Sequence, residues 1–180
     1  MIPVFLSVGE PHNEIQTKYL KTLEKYLHRR SIVVQTIGRT FYSIEAPLIP
    51  IKQKLQNVHG AIILGMERFH SKIGIYKENS VTQQTIHNQY FTSVWAHIEA
   101  AMAYQLQLPL LILKEEKLVA EGVFDRGIHQ WVIIPIHPED PKEIEGEPII
   151  GYLKAWVKAV QDNYSSYENK RIQYTVEGVW

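Results

Sequence analysis

The chain has 180 residues, 45% of them hydrophobic and 21% charged, which excludes a disordered segment and gives a single domain with its own core. Its 19 Lys and Arg balance 19 Asp and Glu, so neither nucleic acid nor an acidic membrane is expected as a partner, and little opposes self-association. The chain has no cysteine, no apolar run of the ~18–20 residues that span a bilayer, and no basic segment before its apolar start. Disulfides, thiolate nucleophiles and Cys-based zinc sites are thereby excluded, and a cytoplasmic location is expected.

Pro3 to Val8 is an apolar run closed by Gly9-Glu10-Pro11, the pattern of a buried strand and a turn. Asn13, with Gln16 three residues on, predicts a capped helix whose apolar positions are Ile15, Tyr19, Leu20, Leu23, Tyr26 and Leu27. Ser31 to Ile37 is β-branched and predicts a second strand; a loop from Gly38 to Pro47 then leads to a helix carrying Leu48, Ile51, Leu55 and Val58. Gly60 to Gly65 reads as a third buried strand. Met66 to Phe91 is polar and weakly periodic and is expected as a long functional loop.

A helix then starts at Ser93, with Ile98, Ala101, Met102 and Leu106 as its inward face. Strands are expected at Pro109–Leu113 and Trp131–Ile136, with a short helix between them at Lys117–Phe124 and a loop at Pro138–Pro148 after them. Ile149, Leu153, Trp156, Val157 and Val160 line a terminal amphipathic helix. The domain is expected over residues 1–165, with 166–180 as a tail whose Ile172, Tyr174 and Val176 alternate like an edge strand or contact arm.

Apolar strands alternating with helices predict a doubly wound, mainly parallel five-stranded α/β sheet of flavodoxin-like order. Ligands of such sheets bind beyond the carboxyl ends of the strands. The loop after Val8, the 38–47 loop, the segment after Leu64 and the start of the Glu99 helix should therefore surround one crevice. Glu99 is the carboxylate of that crevice, expected to stay ionised beside a positive helix end.

Three segments resemble the Toll/interleukin-1 receptor (TIR) domain family. Val4-Phe5-Leu6-Ser7 looks like its first strand. Gly38-Arg39-Thr40-Phe41-Tyr42-Ser43 stands in the place of its BB loop, and Ser93-x-Trp95-x-x-x-Glu99 matches the W-x-x-x-E feature of enzymatic members. The likeness spans roughly the first ~135 residues. It departs from the family at Ala96, where many members have Cys, in the acidic positions, for which Glu10 and Glu45 are the nearest, and in the long 66–91 insertion.

The resemblance implies an enzyme that cleaves NAD at the nicotinamide–ribose bond, by hydrolysis, cyclisation or ADP-ribosyl transfer, in bacterial anti-phage or stress signalling. It implies Glu99 as the catalytic residue and Ser7, Gly9, Arg39, Tyr42, Ser93 and Trp95 as substrate contacts. NAD or a related nucleotide is then the substrate and no cofactor is needed; a homo-oligomer and a downstream effector are the expected partners. Two alternatives stand beside it: a nucleoside deoxyribosyltransferase-like enzyme, which also sets a glutamate against a sugar C1′, and a non-catalytic TIR scaffold.

Other chemistries lack their residues. His97-x-Glu99 has no Pro-Cys-x-x-Cys partner for zinc deamination, and the eight histidines show no H-x-x-x-H or H-E-x-x-H spacing, so no metal is expected. No dinucleotide fingerprint, Walker A motif or G-x-S-x-G elbow is present.

Overall fold

Val4, Phe5 and Leu6 are apolar on both faces of the pleat and fully buried, which suits only a strand covered from both sides. They lie in β1 (Ile2–Val8) of a computed structural model that describes residues 1–37, 46, 48–127 and 132–177, with side chains as far as residue 169. The elements that follow are α1 (Glu14–His28), β2 (Ile32–Gln35), α2 (Leu48–Leu55), β3 (Ala61–Gly65), β4 (Phe69–Tyr76) and β5 (Gln84–Phe91). After them come α3 (Val94–Gln105), β6 (Leu110–Glu115), β7 (Ile133–Ile136) and α4 (Ile149–Glu177).

The main sheet has five parallel strands in the order β2-β1-β3-β6-β7. Ile2 lies opposite Ile32, Phe5 opposite Ala61, Ala61 opposite Leu110 and Ile112 opposite Ile133. Alternate residues feed two cores. Val4, Leu6, Ile62 and Leu64 pack with Tyr19, Leu20 and Leu23 of α1 and Leu153, Trp156 and Val160 of α4. On the opposite face, Phe5 and Ala61 pack with Ile51 and Leu55 of α2 and Ala103 of α3, and Ile63 and Ile112 with Ala96 and Ala100. This is the expected doubly wound α/β architecture. Strand order reverses between β1 and β3, which opens a crevice at their carboxyl ends.

Local capping explains where two helices begin. The Asn13 side chain accepts from Gln16 N at 2.9 Å at the head of α1. Gln16 turns inward, its amide nitrogen donating to Glu67 O at 3.0 Å, while Ile15 is left 53% exposed, the reverse of the apolar expectation. Ser93 caps α3, its hydroxyl accepting from Trp95 N at 3.2 Å.

Four other expectations are corrected. Met66 to Phe91 is not a loop: it holds an antiparallel hairpin, with Phe69 opposite Phe91 and Ile75 opposite Thr85. Its Phe69, Ile73 and Ile75 are exposed, because the hairpin stands off the body and carries no single buried face that would impose alternation. Arg68 N donating to Phe91 O at 2.8 Å and Val119 N to Tyr90 O at 2.9 Å tie it down at its base. The segment expected as a helix over 117–124 is a single 3₁₀ turn, Gly122–Phe124, and the 138–148 loop contains another, Pro141–Glu145.

The tail is the third correction. Ile172, Tyr174 and Val176 continue α4 instead of forming a strand, since neither Gly nor Pro interrupts the chain from Tyr152 to Glu177. The fourth concerns the inward face of α3. Ile98 and Leu106 are exposed, and Ala96, Glu99, Ala100 and Ala103 are buried. Among the described residues, no helix is long and apolar enough to cross a membrane.

Candidate active site

The buried positions of α3 fall at i, i+3, i+4 and i+7: Ala96, Glu99, Ala100 and Ala103. Three alanines let the helix lie close against β1 and β3. The fourth member of this stripe is a glutamate, and it is where the stripe meets the crevice. Glu99 is 8% exposed and still lines an open cavity of about 360 Å³ together with Ser7, Gly9, Arg68, Ser93 and Trp95. The two-residue period of β1 sends Ser7 to the same side as Phe5, toward α3. Ser7 is 2% exposed and its hydroxyl lies beside the Glu99 carboxyl, favouring the ionised form.

Burial pushes the Glu99 carboxyl up to about 7, and the Ser7 hydroxyl offsets this only in part. The expectation of a fully ionised acid is therefore corrected. α3 begins at Val94, so Glu99 lies in its second turn, beyond the reach of the helix end's partial positive charge. Among the described residues no cation compensates for the lost solvation. The result is a carboxyl that exchanges its proton near neutrality, able to act as a base, as a nucleophile or as the counter-charge of a cation.

Of the residues expected at the site, Ser7, Gly9, Ser93, Trp95 and Glu99 converge on this crevice. Trp95 stands one helical turn before Glu99 on the same face, 43% exposed at the rim, and its indole offers a flat apolar surface to a ring. Arg39 and Tyr42 lie outside the described residues.

One lining residue was not expected. Arg68 lies between β3 and β4, three residues past Gly65, and its guanidinium lies over the turn after β1, donating to Glu10 O. Gly9 leaves it room: a Cβ there would approach Arg68 Cδ to 3.0 Å. No local pattern marks such a residue, since a lone Arg in a polar stretch looks like any solvated side chain. Only its place in the segment that leaves the third strand points to the crevice.

A larger groove of about 720 Å³ runs between α1 and the Pro141–Glu145 turn, but every charged residue that lines it, Lys18 and Lys142 among them, is exposed. It offers no buried reactive group. Among the described residues, no three His, Asp or Glu side chains gather into a metal-ligand set. Comparison with protein-family models, with curated proteins and with solved structures gives no match for this chain.

Proposed function

We propose that the chain is a TIR-like enzyme that breaks the bond between nicotinamide and ribose in NAD, with Glu99 as its catalytic residue. The observation that carries this is a buried carboxyl that meets no cation among the described residues, facing an open crevice at the sheet's switch point. A site that keeps an acid dry and uncompensated favours a ligand that brings the missing positive charge. Nicotinamide in NAD is such a ligand: its ring nitrogen is cationic while bonded to the sugar.

As the C1′–N bond breaks, its electron pair goes to the ring nitrogen. Nicotinamide leaves neutral, and positive charge passes to the ribose. The Glu99 carboxylate stabilises that charge or bonds to C1′. A water or a hydroxyl of the product then takes C1′ and gives up its proton. No second acid is needed for a neutral leaving group. Ser7, beside the carboxyl, favours its ionised form. Trp95 offers its face to the nicotinamide ring. The role in anti-phage or stress signalling, and an assembly of several copies, rest on the resemblance of the Ser93–Glu99 segment to TIR enzymes.

The test is to incubate concentrated protein with NAD, and separately with a deoxynucleoside plus a free base, beside Glu99→Gln. Nicotinamide release is expected in the wild type and about 10³-fold less in the variant. The wild-type kcat/KM should rise with pH through about 7, as Glu99 ionises in the free enzyme. Base exchange without nicotinamide release would make the protein a deoxyribosyltransferase; inactivity in both assays over a wide concentration range would leave a scaffold.

A further inference from the structure

Resting on the glycosidic-cleavage reading above, we infer that Arg68 binds the 5′-phosphate of the nicotinamide ribose, so that the site takes pyridinium nucleotides and rejects the corresponding nucleosides. Arg68 is the one cationic side chain among the described residues lining the crevice. Among those residues it has no carboxylate partner; its recorded side-chain bond goes to a backbone oxygen, Glu10 O. A guanidinium has five N–H donors in a flat fork, so most of them remain for a ligand.

Two acids neighbour it: Glu10, exposed, lines the crevice at the same turn, and Glu67 is held elsewhere. Glu67 carboxylate meets Lys117 Nζ at 2.5 Å, and Glu67 N donates to Glu115 at 2.8 Å. Arg68 N donates to Phe91 O at 2.8 Å. The backbone of 67–68 is thus fixed on both sides, and the exposed Arg68 guanidinium is directed to the turn after β1 by its bond to Glu10 O. Gly9 contributes by leaving out the side chain that would displace it.

The crevice is therefore polarised. A buried acid, Glu99, lies on one side of the cavity and the Arg68 guanidinium lies at the turn after β1 beside the exposed Glu10, with Trp95 at the rim. A nucleotide whose base is cationic and whose 5′ substituent is anionic matches that order. At about 360 Å³ the cavity is at the small end for ligand sites, suited to one nucleotide half while the remainder of NAD extends outward. Nicotinamide mononucleotide should then be handled much as NAD is, and nicotinamide riboside poorly.

The experiment measures kcat/KM for NAD, nicotinamide mononucleotide and nicotinamide riboside with wild type, Arg68→Gln and Arg68→Lys. Loss of a charge-assisted phosphate contact predicts a fall of about 10- to 100-fold for both nucleotides in Arg68→Gln, mostly in KM, with the riboside changed less than about threefold. Arg68→Lys should fall between, since it keeps the charge and loses the fork. An equal fall on all three substrates, or none on the nucleotides, overturns the assignment.

Binding of nicotinamide mononucleotide to Glu99→Gln, with and without Arg68→Gln, is read by calorimetry and separates the two proposals. Arg68-dependent binding without turnover by the wild type sustains the phosphate site and sinks the cleavage. Turnover indifferent to Arg68 does the reverse. Absence of both binding and turnover overturns the phosphate site as well. An unchanged melting transition in Arg68→Lys guards against a folding defect.

Discussion

Two glutamates at the carboxyl edge of the same sheet are almost equally buried, and they are treated in opposite ways. Glu115, 7% exposed at the end of β6, accepts from Glu67 N at 2.8 Å and faces Lys117 Nζ at 3.0 Å. Glu99, 8% exposed on α3, has a Ser7 hydroxyl and an open crevice. The first acid is satisfied by protein and holds the base of the hairpin to the sheet. The second meets no cation among the described residues. Burial alone would not separate them; the partner list does, and it marks the Glu99 corner as the place prepared for a ligand.

The widest separation between the two should appear in stability against pH. Glu99 titrates near 7 in the folded chain and near its ordinary 4.5 in the unfolded one, so between those values the folded state binds the extra proton. Stability attributable to Glu99 is then full below about 4.5 and declines as pH rises to about 7, by on the order of 3 kcal/mol. Glu99→Gln removes this slope. The variant should gain on the wild type between pH 5 and pH 8 by roughly 6–12 °C in melting temperature. His137 sits in both proteins between Glu116 at 2.7 Å and Glu143 at 3.0 Å and cancels from the difference. A constant difference across that range would mean that Glu99 is not held dry.

Glu115 should behave in the contrary sense. Glu115→Ala leaves the Glu67 amide hydrogen without its acceptor and removes one of the two carboxylates around Lys117. A loss of about 2 kcal/mol is expected in urea unfolding, with catalysis by the remaining folded protein little changed. If Glu115→Ala proved neutral while Glu99→Gln destabilised at pH 8, the roles assigned to the two acids would be exchanged.

The contrast also explains what could be read in advance. Buried strands announce themselves, since Gly60 to Gly65 and Pro3 to Val8 are apolar without alternation, and five such runs, most of them separated by helices, imply the sheet order found. Glu99 could be located because its place after the third strand of such a sheet implies a crevice. Its environment could not. Two stripes of α3 fit helical spacing, one with Ile98 and Leu106 and one with Ala96, Ala100 and Ala103. Residue size favours the first, but close packing against the sheet selects the second, and that choice is what desolvates Glu99. The hairpin's cross-strand pairs are non-local, such as His70 stacked on Tyr90 at 4.2 Å, and no periodic signal within either strand encodes them. Glu115 carries no local signal, because its partners come from β3's exit and from the turn after β6.

The smallest effect expected tests the Glu99 corner by shape rather than charge. In Gly9→Ala the new Cβ meets Arg68 Cδ at 3.0 Å, and a flexible side chain yields more easily than backbone. Stability should change by less than about 1 kcal/mol, because Gly9 is a turn residue without a positive φ and alanine also restricts the unfolded chain. The guanidinium, however, must shift by a few tenths of an ångström from its place over Glu10. A rise of about three- to tenfold in KM for the nucleotide is expected, with kcat preserved, since Glu99 and Ser7 are untouched. The same substitution in Arg68→Gln should have no further effect on KM, as the group it displaces is already gone. A full additional effect there would show that Gly9 serves the ligand directly and not through Arg68.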